Sequence, residues 1–107
     1  MAKYLFKGRY TQQGIKGLVA GGGGTARRKA VEELVASVGG SLESMYYCMG
    51  ADDIFVVVDL PDHASAVAVS MIVGQSGAFE GETVVLLTPE EIDAAAAKAP
   101  EYRAPGQ

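Results

Sequence analysis

The side chains best suited to chemistry near neutral pH are the single histidine and the single cysteine, His63 and Cys48. One of each cannot form an intrachain disulfide or a metal site built on several cysteines and histidines. His63 follows Asp62 in the first turn of a predicted helix, where an exposed imidazole needs no functional explanation, although it could act as a base. A nucleophilic cysteine needs a cation or a helix N-terminus beside it. Cys48 has neither nearby in the sequence, so we interpret it as a small core-like residue.

Four aspartates, Asp52, Asp53, Asp59 and Asp62, lie near the two ends of a predicted third strand. Asp53 and Asp59 share one face of it but are separated by about 20 Å at the usual rise of a strand. That separation is too long for the pair to hold one metal ion. We expect Asp53 to bond backbone amides in a hairpin turn. The sequence therefore predicts no metal site and no cofactor.

A run of four glycines, Gly21 to Gly24, invites comparison with a phosphate-binding loop. Such a loop needs spaced glycines followed by Lys-Ser or Lys-Thr, directly after a strand. Here the run follows a helical stretch and continues into Thr25-Ala26-Arg27. We interpret it as a flexible joint within a helical region.

Composition limits the classes of partner. The chain has 107 residues, of which 49% are hydrophobic, and a net charge of −4. An acidic chain offers no basic surface for nucleic acid or for an anionic membrane. The first residues lack the apolar stretch of a signal peptide, and no apolar run is long enough to span a bilayer. We expect a cytoplasmic protein with one domain, residues 1–93, and a short C-terminal extension, residues 94–107.

Hydrophobic periodicity and capping signals predict alternating strands and helices. The predicted strands are 3–10, 41–49, 53–60 and 82–88. The first helical region has two parts, 12–19 and 26–38. A third helix is opened by Pro61 and Asp62 and ended by Gly74 and Gly77, and a short helix follows Thr88. In the third helix the apolar face consists of Ala64, Val67, Ala68, Met71 and Ile72. In the second strand, alternation places Leu42, Ser44, Tyr46 and Cys48 on one face. The order βαββαβ predicts an α+β, ferredoxin-like domain whose helices cover one face of a four-stranded antiparallel sheet.

The third strand is apolar on both faces, since Phe55 and Val57 alternate with Ile54, Val56 and Val58. A strand buried on one side only would alternate apolar and polar residues. The sheet face opposite the helices therefore needs a cover, and the simplest cover is a second copy of the chain. We predict a homo-oligomer with Phe55 and Val57 in its interface, either a dimer or a ring of dimers, to which the tail from Pro100 to Gln107 could contribute.

Several segments resemble the GYD-domain family, a group of small bacterial proteins in the dimeric α/β-barrel class. The hallmark of that family, a glycine followed by a Tyr-Asp pair, is matched by Gly50 and Asp53, with Asp52 where the tyrosine usually stands. The similarity covers roughly residues 3–92 and extends to the segments Tyr10-Thr11, Gly39-Gly40, Pro61-Asp62-His63 and Thr88-Pro89-Glu90-Glu91. The resemblance implies a ferredoxin-like fold and association through the sheets. It implies no reaction.

Two functions follow as hypotheses. The first is a non-catalytic oligomer that assembles with itself or binds a small molecule, with Arg9, Tyr46 and Phe55 as ligand-binding residues on the open sheet face. The second is a cofactor-independent enzyme, monooxygenase- or isomerase-like. That enzyme would use His63 or Tyr46 as its base and Arg9 to hold an oxyanion. A deep pocket containing these groups would favour the enzyme.

Overall fold

A computed structural model describes all 107 residues of the chain. Four strands and four helices follow one another in this order: β1 (Ala2–Tyr10), α1 (Gln12–Ala20), α2 (Gly23–Ser37), β2 (Ser41–Tyr47), β3 (Ile54–Leu60), α3 (His63–Gln75), β4 (Phe79–Leu86) and α4 (Pro89–Ala97). No helix is both long enough and apolar enough to cross a membrane.

The strands form one antiparallel sheet in the order β2-β3-β1-β4. The central pair β1 and β3 is in register with Tyr4 opposite Val58 and Leu5 opposite Val57. This architecture confirms the predicted α+β, ferredoxin-like fold. The alternation predicted for β3 is also observed, because Ile54, Val56, Val58 and Leu60 are buried whereas Phe55 remains exposed.

The core lies between the sheet and one layer of helices. Its fully buried members come from the two central strands, α2 and α3: Tyr4, Val35, Ile54, Val56, Val58, Leu60, Ala66 and Val69. No polar or charged side chain is fully buried. The opposite sheet face, which we call the open face, is covered by no part of the chain.

The glycine run forms a tight turn between α1 and α2. Gly22 and Gly23 have φ values of 101° and 79°, a region that side chains with a Cβ rarely adopt. Gly24 lies under the ring of Tyr47, where an added Cβ would be 3.0 Å from Cε2. The joint predicted from the sequence is thus a short turn with two left-handed glycines, and α2 begins within the run rather than after it.

A bulge in β2 changes which side chains share a face. Pairing shifts between Leu42 and Ser44, so Leu42 lies opposite Val58 on the helix side and Ser44 lies opposite Val57 on the open face. A bulge places two residues against one and reverses the alternation beyond it. Ser44 and Tyr46 share a face as predicted, but the prediction that Leu42 shares it was wrong, and Cys48 lies just beyond the end of β2.

The side of α3 that faces the core differs from the apolar face identified from the sequence. Ala66 and Val69 face the core. The five residues of the apolar face identified from the sequence are exposed, with Val67, Met71 and Ile72 at 55%, 68% and 52% exposure. Apart from His63 at its start, the helix has no acidic or basic side chain, so its polarity pattern did not indicate which side would face the sheet.

The last helix projects away from the rest of the molecule. The chain measures 60 × 31 × 23 Å along its principal axes, with a radius of gyration of 17.1 Å, whereas a compact domain of this length has about 13 Å. Every residue from Pro89 to Gln107 is exposed. We call residues 87–107 the C-terminal arm.

Candidate functional site

The open face carries an apolar centre surrounded by ion pairs. Phe55 and Val84 are 40% and 36% exposed, and Val57 is half-buried beside them. Lys3 lies 2.8 Å from Glu43 and 2.9 Å from Asp59. Hydrogen bonds to these two carboxylates raise the pKa of Lys3, so it remains charged and fixed at the margin of the apolar centre.

A second ion pair holds the middle of the open face. The Lys7 ammonium lies 3.3 Å from Asp52 and 3.7 Å from Glu82. It also lies 5.8 Å from the centroid of the Phe55 ring, within the range of a cation–π contact. The hydrogen bond with Asp52 raises the pKa of Lys7. Asp52, which occupies the tyrosine position of the expected motif, thus supplies a charge to the open face.

Arg9 holds the hairpin between β2 and β3. Its guanidinium donates to the carbonyl oxygens of Ala51 at 2.8 Å and Gly50 at 3.3 Å. Tyr46, on the same sheet face, is 72% exposed opposite Phe55. Arg9 therefore contacts backbone carbonyls of this hairpin, whereas Asp59 bonds Lys3.

His63 lies on the other side of the sheet. Its Nδ1 is 2.6 Å from the hydroxyl of Tyr4, which is only 1% exposed on the helix-facing side. The two rings meet edge to face, with centroids 5.8 Å apart. His63 and the pair Arg9 and Tyr46 are thus separated by the sheet and do not converge on one site within a chain.

Asp53 joins the β2–β3 hairpin to β1, and Cys48 forms a bond within the hairpin. The Asp53 carboxylate accepts the backbone N–H of Tyr10 at 2.9 Å, and its own N–H donates to the Gly8 carbonyl at 2.7 Å. The Cys48 thiol donates to the carbonyl of Asp52 at 3.1 Å. Asp53 bonds a backbone amide as expected, but that amide belongs to β1 rather than to the turn.

The largest concave feature is a cleft of about 710 Å³ between the helix layer and the sheet. It is bounded by α1, α2 and α3 and by the helix-facing side of β1 and β4. Most of its lining is apolar and includes Phe6, Tyr10, Leu18, Val31, Val69 and Phe79. None of the predicted site residues lines it.

Aromatic rings form one end of the cleft. Tyr10 and Phe79 meet edge to face with centroids 5.4 Å apart. Burial raises the pKa of the Tyr10 phenol, so the hydroxyl remains protonated at neutral pH and can donate a hydrogen bond. Arg27 also borders the cleft, and its guanidinium takes part in none of the ion pairs of the chain.

The cleft was missed because the sequence shows only which residues are apolar, not where two layers fail to meet. A weak signal was present in α1, where Gly14 and Gly17 reduce the side-chain volume over the sheet. Gly14 also allows the α1 backbone to lie directly against Ala78, because a side chain at this position would collide with the Ala78 carbonyl group.

Comparison with known proteins identifies the family. The sequence profile of the GYD domain matches residues 4–96, which include all but the first two residues of the sheet, the first three helices and nearly all of α4. No curated protein and no solved structure was found to match the chain. The match extends over most of the 107 residues, and the chain therefore belongs to the GYD-domain family.

Proposed function

We propose that this GYD-domain protein is a self-associating binding module that holds a small, mostly apolar molecule in the cleft between its helices and its sheet. The observation that carries the proposal is the cleft itself, with its volume of about 710 Å³ and apolar lining. Ligand sites for small molecules typically measure about 300–1,000 Å³ and place a few polar groups in an apolar wall. Tyr10 and Arg27 are such groups.

The polar groups favour a ligand with an anionic or hydrogen-bond-accepting end. Arg27 offers a cation with no carboxylate partner within the chain, and a guanidinium binds carboxylate, sulfonate or phosphate groups well. The protonated Tyr10 hydroxyl is a donor near the Phe79 ring. An aromatic or aliphatic acid would place its apolar body along the lining and its charged end near Arg27.

Self-association through the open face is the second part of the proposal. The apolar centre formed by Phe55, Val57 and Val84 is only partly covered within one chain, and the ion pairs of Lys3 and Lys7 surround it with both signs of charge. A surface with both signs can meet a rotated copy of itself without net repulsion. A second copy of the chain is therefore the proposed partner.

The alternative, a cofactor-independent enzyme, has less support from the geometry. His63 is bonded to the buried Tyr4 on one side of the sheet, and Arg9 and Tyr46 lie on the other. The lining of the cleft contains no histidine, cysteine or aspartate. Its one acidic member, Glu82, has its carboxylate 3.7 Å from Lys7. Binding is the simpler use of such a cavity.

A fluorescent probe tests the binding proposal directly. Anilinonaphthalene sulfonate combines an aromatic body with an anionic group and becomes bright in apolar sites. We expect saturable binding to the full chain and about threefold to tenfold weaker binding to Arg27→Gln, as befits one partly exposed charge contact. Val31→Trp, which places a large side chain in the cleft, should reduce the number of binding sites.

Arg28→Gln is the matched control, because Arg28 neighbours Arg27 in the chain but pairs with Glu32 at 3.3 Å and does not line the cleft. It should leave the probe affinity unchanged. Equal losses for the two arginine variants, or unchanged binding in Val31→Trp, would place the probe elsewhere and contradict the proposal.

A further inference from the structure

Two apolar surfaces besides the open face are left without a partner in one chain. The first is the outward side of α3, formed by Ala64, Val67, Ala68 and Met71, which we call the outer face of α3. Val67 and Met71 are 55% and 68% exposed there. A helix that is apolar on all sides is normally packed on all sides.

The second surface is the C-terminal arm. Leu87, Ile92 and Tyr102 are 59%, 52% and 80% exposed. The helix within it, α4, has nine residues, whereas isolated helices shorter than about 12–15 residues are marginal in water. The capping box of Thr88 and Glu91 stabilises its first turn only. The remainder of α4 needs a surface to pack against.

We propose that the arm of one copy packs the Ile92 side of α4 on the outer face of α3 of a second copy. All residues of the arm from Pro89 onward are exposed, and the molecule is elongated, with a longest dimension of 60 Å. None of its hydrogen bonds or ion pairs joins residues 88–107 to the preceding part of the chain. It is thus placed to meet another molecule rather than its own α3.

The chemistry of the two surfaces is compatible. At helical spacing, Pro89, Ala95 and Ala96 share the side of Ile92, whereas Glu90 lies on another side and would remain in solvent. The outer face of α3 has no charge that would lose its hydration on contact. Every copy supplies one arm and one receiving face, so the contacts match one to one in a reciprocal pair or a closed ring.

This contact is independent of the open face and of the cleft, and it goes beyond the proposed function.

Cross-linking tests the proposed contact on the full chain. Met71→Cys and Ile92→Cys are prepared as separate proteins in a Cys48→Ser background, where serine retains a donor for the Asp52 carbonyl. One protein is isotope-labelled, and the two are mixed and treated with a short bismaleimide. We expect a mixed cross-linked dimer joined through positions 71 and 92.

Val19→Cys replaces Met71→Cys as the control, because Val19 is 75% exposed on α1 and should cross-link poorly. A single chain carrying both Met71→Cys and Ile92→Cys tests the alternative in which the arm folds back. Cross-links confined to one chain, or a mixed product no more abundant than the Val19 control, would overturn the proposal.

Charge substitutions provide a second measurement. Ile92→Asp should lower the assembly mass and reduce the helical signal of α4, whereas Ala94→Asp, on the opposite side of the same helix, should preserve both. Equal behaviour of these two variants would also contradict the proposed contact.

Discussion

The hydroxyl of Tyr4 and Nδ1 of His63 are 2.6 Å apart, so the only histidine of the chain is bonded to one of its most buried side chains. Tyr4 is 1% exposed, and its hydroxyl would otherwise approach the start of α3 without a partner. This contact gives His63 a structural role that its exposed position at a helix start did not indicate.

A double-mutant cycle should measure this contact. His63→Ala leaves the Tyr4 hydroxyl without its partner and should lower the free energy of unfolding by about 1–3 kcal/mol. Tyr4→Phe removes the hydroxyl itself at about 0.5–1.5 kcal/mol. The double variant should lose less than the sum, as followed by urea denaturation. Strict additivity would show that the two side chains do not interact.

Asp53 of the family motif should matter for stability through its acceptor oxygen. Asp53→Ala leaves the Tyr10 N–H, bonded at 2.9 Å, without an acceptor and should cost about 1–3 kcal/mol. Asp53→Asn keeps a carbonyl oxygen in place and should cost clearly less. Chemical denaturation of the two variants makes the comparison, and equal losses would show that the charge rather than the hydrogen bond is required.

Two glycines of α1 should respond to alanine in opposite ways. At Gly14 an added Cβ would lie 2.9 Å from the Ala78 carbonyl carbon, so Gly14→Ala should destabilise the chain by about 1–3 kcal/mol. At Gly17 nothing lies within 4 Å, and Gly17→Ala should stabilise it by up to about 1 kcal/mol. Thermal unfolding of both variants tests the packing of α1, and losses of similar size would contradict it.

The helix cap at Asp62 predicts a dependence on pH. The hydroxyl and the backbone N–H of Ser65 donate to its carboxylate at 2.7 and 2.8 Å, and these bonds lower the pKa of Asp62 below its ordinary 3.8. Because the folded pKa is the lower one, the stabilisation is complete above the unfolded value and is lost as pH falls through the folded value.

The Tm difference between the wild type and Asp62→Asn should therefore be largest near neutral pH and shrink below pH 3.8. Asp93→Asn is the control, since Asp93 is exposed on α4; its Tm difference from the wild type should vary little over the same range. A constant difference for Asp62→Asn would rule out this titration.

Phe55 should control self-association through the open face. Phe55→Asp introduces a charge at the centre of the proposed interface and should weaken association by at least about 30-fold, the effect of losing a central interface residue. Val19→Asp, equally charged but on the outer side of α1, is the control. Sedimentation velocity at micromolar concentration distinguishes them, and an unchanged mass for Phe55→Asp would refute this interface.

Much of this fold could be predicted from local patterns. The alternation of β3 and the helix starts at Asp62 and Thr88 appear in the structure as expected. These features depend on neighbouring residues, so the sequence contains the necessary information. The two-faced β3 also indicated that the sheet side carrying Phe55 is left open.

Other features depend on contacts between distant segments. The orientation of α3 could not be derived because Val67 and Val69 are equally apolar, although only Val69 faces the core. Arg9 bonds carbonyls of the β2–β3 hairpin, whereas Lys3 bonds Asp59 at the other end of β3, because the register of β1 and β3 sets which residues are neighbours. The cleft depends on how closely α1 approaches the sheet, which Gly14 permits. Neither the orientation of α3, nor the partners of Arg9, nor the cleft follows from residue type alone.

The bulge between Leu42 and Ser44 affects how insertions and deletions in this family should be interpreted. A strand that lacks the extra residue would regain regular alternation and would leave Met45 opposite Val56 and Tyr46 opposite Phe55, on the same sides of the sheet as here. A relative lacking a counterpart of Glu43 would therefore need no compensating changes along the rest of β2, provided that its gap is placed at that position. An alignment that closes this one-residue gap elsewhere in β2 would compare core positions of one protein with surface positions of another.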